Sequence, residues 1–180
     1  MDANRSFIEN IIWYEMIHAK YWEQYLSDYT GLKITKRKWL NITILMLSTI
    51  GASSWSAWKL LPEGTEWLPS VIFGIMGVVQ VFNVFQKNIT VENTTLESLY
   101  RLRSMYISYF NKLERLFIES EAHKYSQNEL IEKYYKIRET VYPIEELKDS
   151  LNITQIEMLD KNIEGKVMNY LNSRFYPTES

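Results

Sequence analysis

Two stretches of the chain contain no charged residue. They cover residues 39–58 and 67–86, and both are rich in Ile, Leu, Val, Met, Phe and Trp. All 20 basic and all 22 acidic residues lie outside them. A helix of about 20 residues spans roughly 30 Å, the thickness of the hydrocarbon core of a bilayer. The pattern therefore predicts two transmembrane helices joined by a tight loop; the alternative is a buried helical hairpin in a soluble bundle.

Basic and tryptophan residues flank both stretches, as expected of side chains that anchor a helix at the membrane interface. The basic residues precede the first stretch and follow the second, whereas the loop between them carries Glu63 and Glu66. The positive-inside rule then places both termini in the cytoplasm, which predicts a multi-pass membrane protein without a cleavable signal peptide. The predicted interface anchors are Lys36, Arg37, Lys38, Trp39, Trp58, Trp67 and Lys87.

The chain therefore divides into five predicted segments. Residues 1–38 are a cytoplasmic amphipathic helix with a basic entry, and residues 87–180 are a cytoplasmic helical region. Between them lie a first transmembrane helix over 39–61, an outer loop over 62–66 and a second transmembrane helix over 67–86. The predicted fold is an all-α membrane protein, in which a two-helix transmembrane hairpin is joined to a cytoplasmic helical bundle.

Apolar residues at helical spacing predict the cytoplasmic helices. The first covers residues 4–29 and ends at Gly31; it either lies on the membrane surface or, as we favour, packs on the helix after the second stretch. That later helix carries three apolar a/d pairs and runs to residue 122. Its predicted seam consists of Leu99, Leu102, Tyr106, Tyr109, Leu113 and Leu116.

Two capping patterns predict the remaining helices. Ser126 with Glu129 opens a helix that Pro143 breaks. Thr154 with Glu157 precedes a last helix, which carries Ile156, Leu159, Ile163 and Val167.

Composition excludes several classes of function. The 180 residues include no cysteine and two histidines, and the net charge is −2. Disulfide scaffolds and cysteine zinc sites are thus excluded, and a strongly basic nucleic-acid binder is not expected. Neither a nucleotide-binding fingerprint nor a known catalytic motif is present. We expect no enzymatic activity, no cofactor, no metal site and no nucleic-acid partner.

Polar residues within the two stretches are the candidate functional positions. Ser48, Thr49, Ser53 and Ser56 share one face of the first helix, and Gln80 and Asn83 share a face of the second. An amide in lipid is costly unless it is paired or hydrated. For the first face we favour simple helix–helix packing, and the alternative is a pore wall that forms on oligomerisation. Gln80 and Asn83 are predicted to form an oligomer contact or to line a hydrated vestibule. The protein is therefore predicted to be a homo-oligomer in the lipid bilayer.

The order of these parts resembles the SLATT family of two-transmembrane effectors. The resemblance rests on an amphipathic first helix, a basic entry, two stretches with a tight loop, the run VFNVFQ at 81–86 and the sequence LYRLRSMY at 99–106. It implies a pore-forming effector of antiviral defence, which perturbs the inner membrane in response to a cognate sensor protein or a nucleotide signal. A non-catalytic membrane adaptor that recruits a partner is the main alternative, and a small channel or transporter subunit is a weaker one.

Overall fold

The structure is a computed structural model that describes residues 3–57, 67, 71, 73–75, 77–78, 93–153 and 155–176. Within these residues the chain is helical and contains no strand, so the prediction of an all-α protein is confirmed. The helices are α1 (Ala3–Ala57), α2 (Asn93–Glu121), α3 (Gln127–Arg138), α4 (Tyr142–Ser150) and α5 (Glu157–Phe175). A 3-10 turn, Glu139–Val141, separates α3 from α4.

The chain forms two compact units. Unit 1 combines Met1–Thr30 with Thr94–Ser180, and unit 2 is Gly31–Asn93. The first boundary falls inside α1 and the second at the start of α2. Unit 1 is consequently discontinuous in sequence, because all of unit 2 is inserted between its first helix and its second.

Unit 1 is a helical bundle of four layers, built on an antiparallel pair, the N-terminal part of α1 and α2. Glu9 accepts a hydrogen bond from the Ser120 hydroxyl at 2.6 Å, and Glu15 accepts one from the Tyr109 hydroxyl at 3.1 Å. These two contacts show that α1 and α2 run in opposite directions. The packing of the first helix on α2, favoured over a membrane-surface position, is present.

Burial of the helix seams holds the pair together. The six predicted seam residues of α2 are all buried, with at most 3% of their surface exposed. Full burial of each such large side chain stabilises the fold by about 1.5–3 kcal/mol. The facing stripe of α1 consists of Ile8, Ile12, Met16, Ala19, Trp22 and Leu26.

The third layer of the bundle is α3 followed by α4. The predicted capping box is present, since the Ser126 N–H donates to Glu129 Oε2 at 2.9 Å. The break predicted at Pro143 is wrong in position. α3 ends earlier, at Arg138, and Pro143 lies in the first turn of α4, where the N–H that proline lacks has no partner within the helix. The two helices run along α1, with Arg138 paired to Glu15 and the Lys148 ammonium 4.2 Å from the Trp22 ring centroid.

The fourth layer, α5, returns antiparallel to α1. The Trp13 and Phe175 rings meet edge to face, and Lys166 pairs with Asp28 at 3.4 Å. Three of the predicted apolar positions are buried, Leu159, Ile163 and Val167. The fourth, Ile156, precedes the helix as its N-cap and donates its N–H to the Tyr25 hydroxyl at 3.0 Å. Thr154 lies outside the described residues.

The helix end predicted at Gly31 is wrong, because α1 continues to Ala57. A single glycine inside a helix costs about 1 kcal/mol relative to alanine, which the regular helix on both sides of it offsets. Among the residues that the structure describes, no helix combines the length and the apolar character needed to cross a membrane.

Candidate functional site

The predicted polar face of the first stretch lies on α1. Thr49 is exposed, and its hydroxyl donates to the Leu45 carbonyl oxygen at 2.9 Å. The Thr43 hydroxyl makes the same i−4 bond, to the Trp39 carbonyl oxygen at 3.0 Å. Hydroxyls that bond back to their own helix can lie in an apolar environment without leaving a donor unpaired. Ser48, Ser53 and Ser56 also lie on α1, and their side chains are outside the described part of the structure.

Four of the other predicted residues fall outside the described residues. They are the amide pair, Gln80 and Asn83, and two interface anchors, Trp58 and Lys87. Their roles stay predictions. Around them, the described residues between 71 and 78 are helical, as the second stretch predicts.

The remaining anchors lie on the surface of unit 2. Lys36, Lys38 and Trp39 are exposed on α1, and Trp67 is exposed in a turn. Arg37 is different, because it is half-buried and donates from Nη1 to Asn93 Oδ1 at 2.8 Å. This bond ties α1 to the first residue of α2, so Arg37 has a structural contact in addition to its predicted place at the interface.

Large apolar side chains are exposed among the described residues of unit 2. None of its described residues is buried, whereas unit 1 has a continuous core. Contiguous exposed apolar surface marks a site of interaction with a partner or a membrane. We call this set the apolar surface of unit 2: Trp39, Leu45, Met46, Trp67, Val71, Phe73, Ile75 and Val78.

A polar cleft of about 330 Å³ lies within the bundle, between α1, α2 and the junction of α3 with α4. Its main polar groups belong to Glu15, His18, Tyr109, Arg138 and Glu145. Glu15 pairs with Arg138 and also accepts the Tyr109 hydroxyl, so its carboxylate is held on two sides. Such a network fixes the register of three helices, and Glu15 is not free to act as a general base.

The protonation state of this cleft follows from burial. Burial, and secondarily Lys148, lowers the pKa of His18, against an opposing effect of Glu145. His18 Nε2 accepts the indole N–H of Trp22 at 3.0 Å, so the neutral ring carries its proton on Nδ1. Burial also raises the pKa of Tyr106 and Tyr109, and both phenols stay protonated. The cleft thus combines the Glu15–Arg138 ion pair with two protonated phenols and an imidazole whose protonation burial disfavours.

Sequence reasoning did not find this cleft. Its one local signal is the pair Glu15 and His18, polar residues at i and i+3 beside the apolar stripe of α1. Arg138 has no such signal, because only the fold brings it to Glu15. Comparison of the chain with protein-family models, with curated proteins and with solved structures found no match. Within the described residues, no group of three or more His, Asp or Glu side chains could hold a metal ion.

Proposed function

We propose that the protein is an oligomeric membrane effector, whose residues 39–86 form a bilayer-embedded hairpin and whose bundle lies in the cytoplasm. One observation carries the proposal: the two charge-free stretches belong to unit 2, where large apolar side chains are exposed and none of the described residues is buried. Trp39 and Met46 each expose about two thirds of their surface. Entry into lipid would remove this apolar surface from water, which is favourable.

The hydroxyl bonds of Thr43 and Thr49 support the same environment. In lipid every polar group needs a partner within the protein, and both hydroxyls find one in the preceding turn of α1. The exposed Lys36 and Lys38 at the start of the first stretch support a cytoplasmic bundle. The resemblance to SLATT effectors supports the proposed action, permeation of the inner membrane in antiviral defence.

Cysteine labelling tests the topology, and the natural absence of cysteine makes it clean. Glu63→Cys places a thiol in the predicted outer loop, and Asn128→Cys places one on the exposed surface of α3. In intact cells a membrane-impermeant maleimide should label Glu63→Cys alone. After lysis it should label both. Equal labelling of the two variants in intact cells would contradict the hairpin.

Membrane permeation is tested at the amide pair. Gln80→Leu with Asn83→Leu should abolish depolarisation and growth arrest on induced expression, because a pore wall or wet interface needs those amides. Asn111→Leu, an exposed amide of α2, is the matched control and should leave both readouts unchanged. Full depolarisation by the double variant, at equal membrane abundance, would remove Gln80 and Asn83 from the mechanism.

A membrane adaptor is the second candidate, and the exposed tyrosines of the bundle favour it. Tyr14, Tyr135 and Tyr142 each expose 60% or more of their surface, and tyrosine is enriched where proteins meet partners. An adaptor would produce no depolarisation on induced expression of the unaltered protein. The membrane-potential dye therefore separates the two functions.

A further inference from the structure

A second cleft, of about 280 Å³, lies between the C-terminal half of α2 and α3. The apolar side chains of Leu116 and Ile137 line it together with Tyr125, which belongs to the connecting loop. The charged residues at its wall are predominantly cations. We call it the basic cleft, and its charged lining residues are Lys112, Arg115, Glu119, Lys133 and Lys136.

Glu119 is the one carboxylate of that lining, and it is fully engaged. Glu119 Oε1 pairs with the Lys124 ammonium at 2.7 Å and with Arg115 Nε at 3.4 Å. Its other oxygen, Oε2, accepts the Tyr125 hydroxyl at 2.7 Å. These bonds, with Lys124 first, lower the pKa of Glu119 to about 2. Glu119 thus stays ionised and fixes the wall of the cleft.

Three lysines of the cleft form no ion pair within the described residues. Within the described part of the chain, Lys112, Lys133 and Lys136 have no carboxylate oxygen at ion-pair distance. Lys133 does act on Glu129 electrostatically, since after the bonds from Ser126 it helps to lower the pKa of that carboxyl. The Lys133 ammonium lies 4.6 Å from the centroid of the Tyr125 ring, which orients it without neutralising it. The protein as a whole has a net charge of −2, so this positive charge is concentrated locally.

We propose that the basic cleft binds a compact, multiply charged phosphate compound, such as pyrophosphate or the phosphate chain of a nucleoside di- or triphosphate. A cleft lined by charges of one sign focuses its field and raises the local concentration of the opposite ion. Lysine ammoniums bind phosphate as point charges, and several together favour a polyanion over a single phosphate. The volume lies below the roughly 300–1,000 Å³ typical of drug-sized ligands, which suits a compact anion.

This inference goes beyond the proposed membrane function and does not depend on it. The site belongs entirely to unit 1, and the phosphate chemistry is shared by soluble polyphosphates and by phospholipid headgroups. We assign the cleft to the soluble compounds, because its volume is small and the bond from Tyr125 to Glu119 fixes one side of it.

The test is titration calorimetry of the full chain in non-ionic detergent with inorganic pyrophosphate, and with orthophosphate for comparison. Pyrophosphate should bind saturably and more tightly than orthophosphate. Lys133→Gln with Lys136→Gln should raise the Kd for pyrophosphate by roughly tenfold or more, because each lost ammonium removes a charge-assisted bond. Both residues are exposed, so the variant should keep the circular dichroism spectrum of the parent.

The matched control removes two lysine charges from α5. Lys161→Gln with Lys166→Gln should change the Kd by less than about twofold, since both lysines lie outside the lining of the cleft and pair with Glu157 and Asp28. Absence of saturable binding, or an equal loss in both double variants, would overturn the proposal. The pyrophosphate titration is then repeated in vesicles of phosphatidylcholine with and without phosphatidylglycerol. This comparison distinguishes a site for soluble polyphosphates from a site for phospholipid headgroups. Loss of pyrophosphate binding only with phosphatidylglycerol would assign the cleft to a headgroup and overturn the assignment to soluble compounds.

Discussion

His123 ends α2 in a conformation that side chains other than glycine rarely adopt. Its φ is 54°, in the left-handed region, and its N–H donates to the Ser120 carbonyl oxygen at 2.8 Å. The next N–H, of Lys124, donates to the Glu119 carbonyl oxygen at 3.1 Å, so the turn satisfies the last carbonyls of the helix.

The first prediction concerns this position. His123→Gly should raise the unfolding free energy by about 1 kcal/mol, because glycine adopts a positive φ without the Cβ clash. Urea denaturation in detergent, followed by near-ultraviolet circular dichroism, measures it. Asn152→Gly, at φ 43°, is the comparison and should gain less, since asparagine tolerates this region. A lower stability of His123→Gly would show that the imidazole supports the turn.

The second prediction concerns His18, whose pKa is lowered from 6.5, first by burial and then by Lys148, against the opposing Glu145. The unfolded chain accepts a proton that the folded ring resists. The stability that the folded state gains while His18 is neutral is therefore complete above pH 6.5. It is lost as the pH falls from 6.5 towards the lower pKa of the folded state. Below pH 6.5, His18→Gln should show a flatter dependence of unfolding free energy on pH than the parent. If the unfolding free energies of His18→Gln and the parent changed in parallel with pH, the prediction would be contradicted.

At the scale of elements, Gly31 marks the boundary between the units although α1 does not end there. No atom lies within 4 Å of the position where a Cβ would be added. Gly31→Ala should raise the unfolding free energy by about 0.5–1 kcal/mol, since alanine restricts the unfolded chain and fits the helix. Chemical denaturation measures this effect. A decrease would mean that the glycine permits a conformation other than the helix described.

Local patterns predicted the elements well where the interaction itself is local. The seam of α2 and the Ser126–Glu129 capping box depend on residues a few positions apart, and both are present. Gly31 was misjudged because a propensity of about 1 kcal/mol is smaller than the helical preference of its neighbours on both sides. The start of α5 follows a long-range bond, from the Ile156 N–H to the Tyr25 hydroxyl, which no local pattern contains.

At the scale of the molecule, unit 1 buries a core of apolar residues, whereas none of the described residues of unit 2 is buried. Leu113 is fully buried in the bundle, whereas Leu45 exposes 68% of its surface on unit 2. Leu113→Ala should lower the unfolding free energy of the bundle by about 2–5 kcal/mol, because it leaves a cavity. Leu45→Ala should change it by no more than about 0.5 kcal/mol. Near-ultraviolet circular dichroism during denaturation measures both; similar losses would mean that Leu45 supports the bundle.

Neither cleft could be predicted from the sequence, because each depends on residues that are distant along the chain. Glu15 and Arg138 are far apart along the chain, and so are Lys112 and Lys136 across the basic cleft. Such pairs depend on which helix lies beside which, and periodicity does not contain that information. The charge-free stretches were visible at once because a membrane prediction depends only on composition within a window.

The insertion of unit 2 into unit 1 has a consequence for biosynthesis. Ribosomes add roughly 5–20 residues per second, so the part of α1 up to Thr30 emerges several seconds before its bundle partner α2, with all of residues 31–93 made in between. During that delay the apolar stripe from Ile8 to Leu26 has no helix to cover it. The nascent chain therefore exposes the apolar face of a helix early in translation. Molecular chaperones that bind exposed apolar segments should be needed most before Asn93 leaves the ribosome.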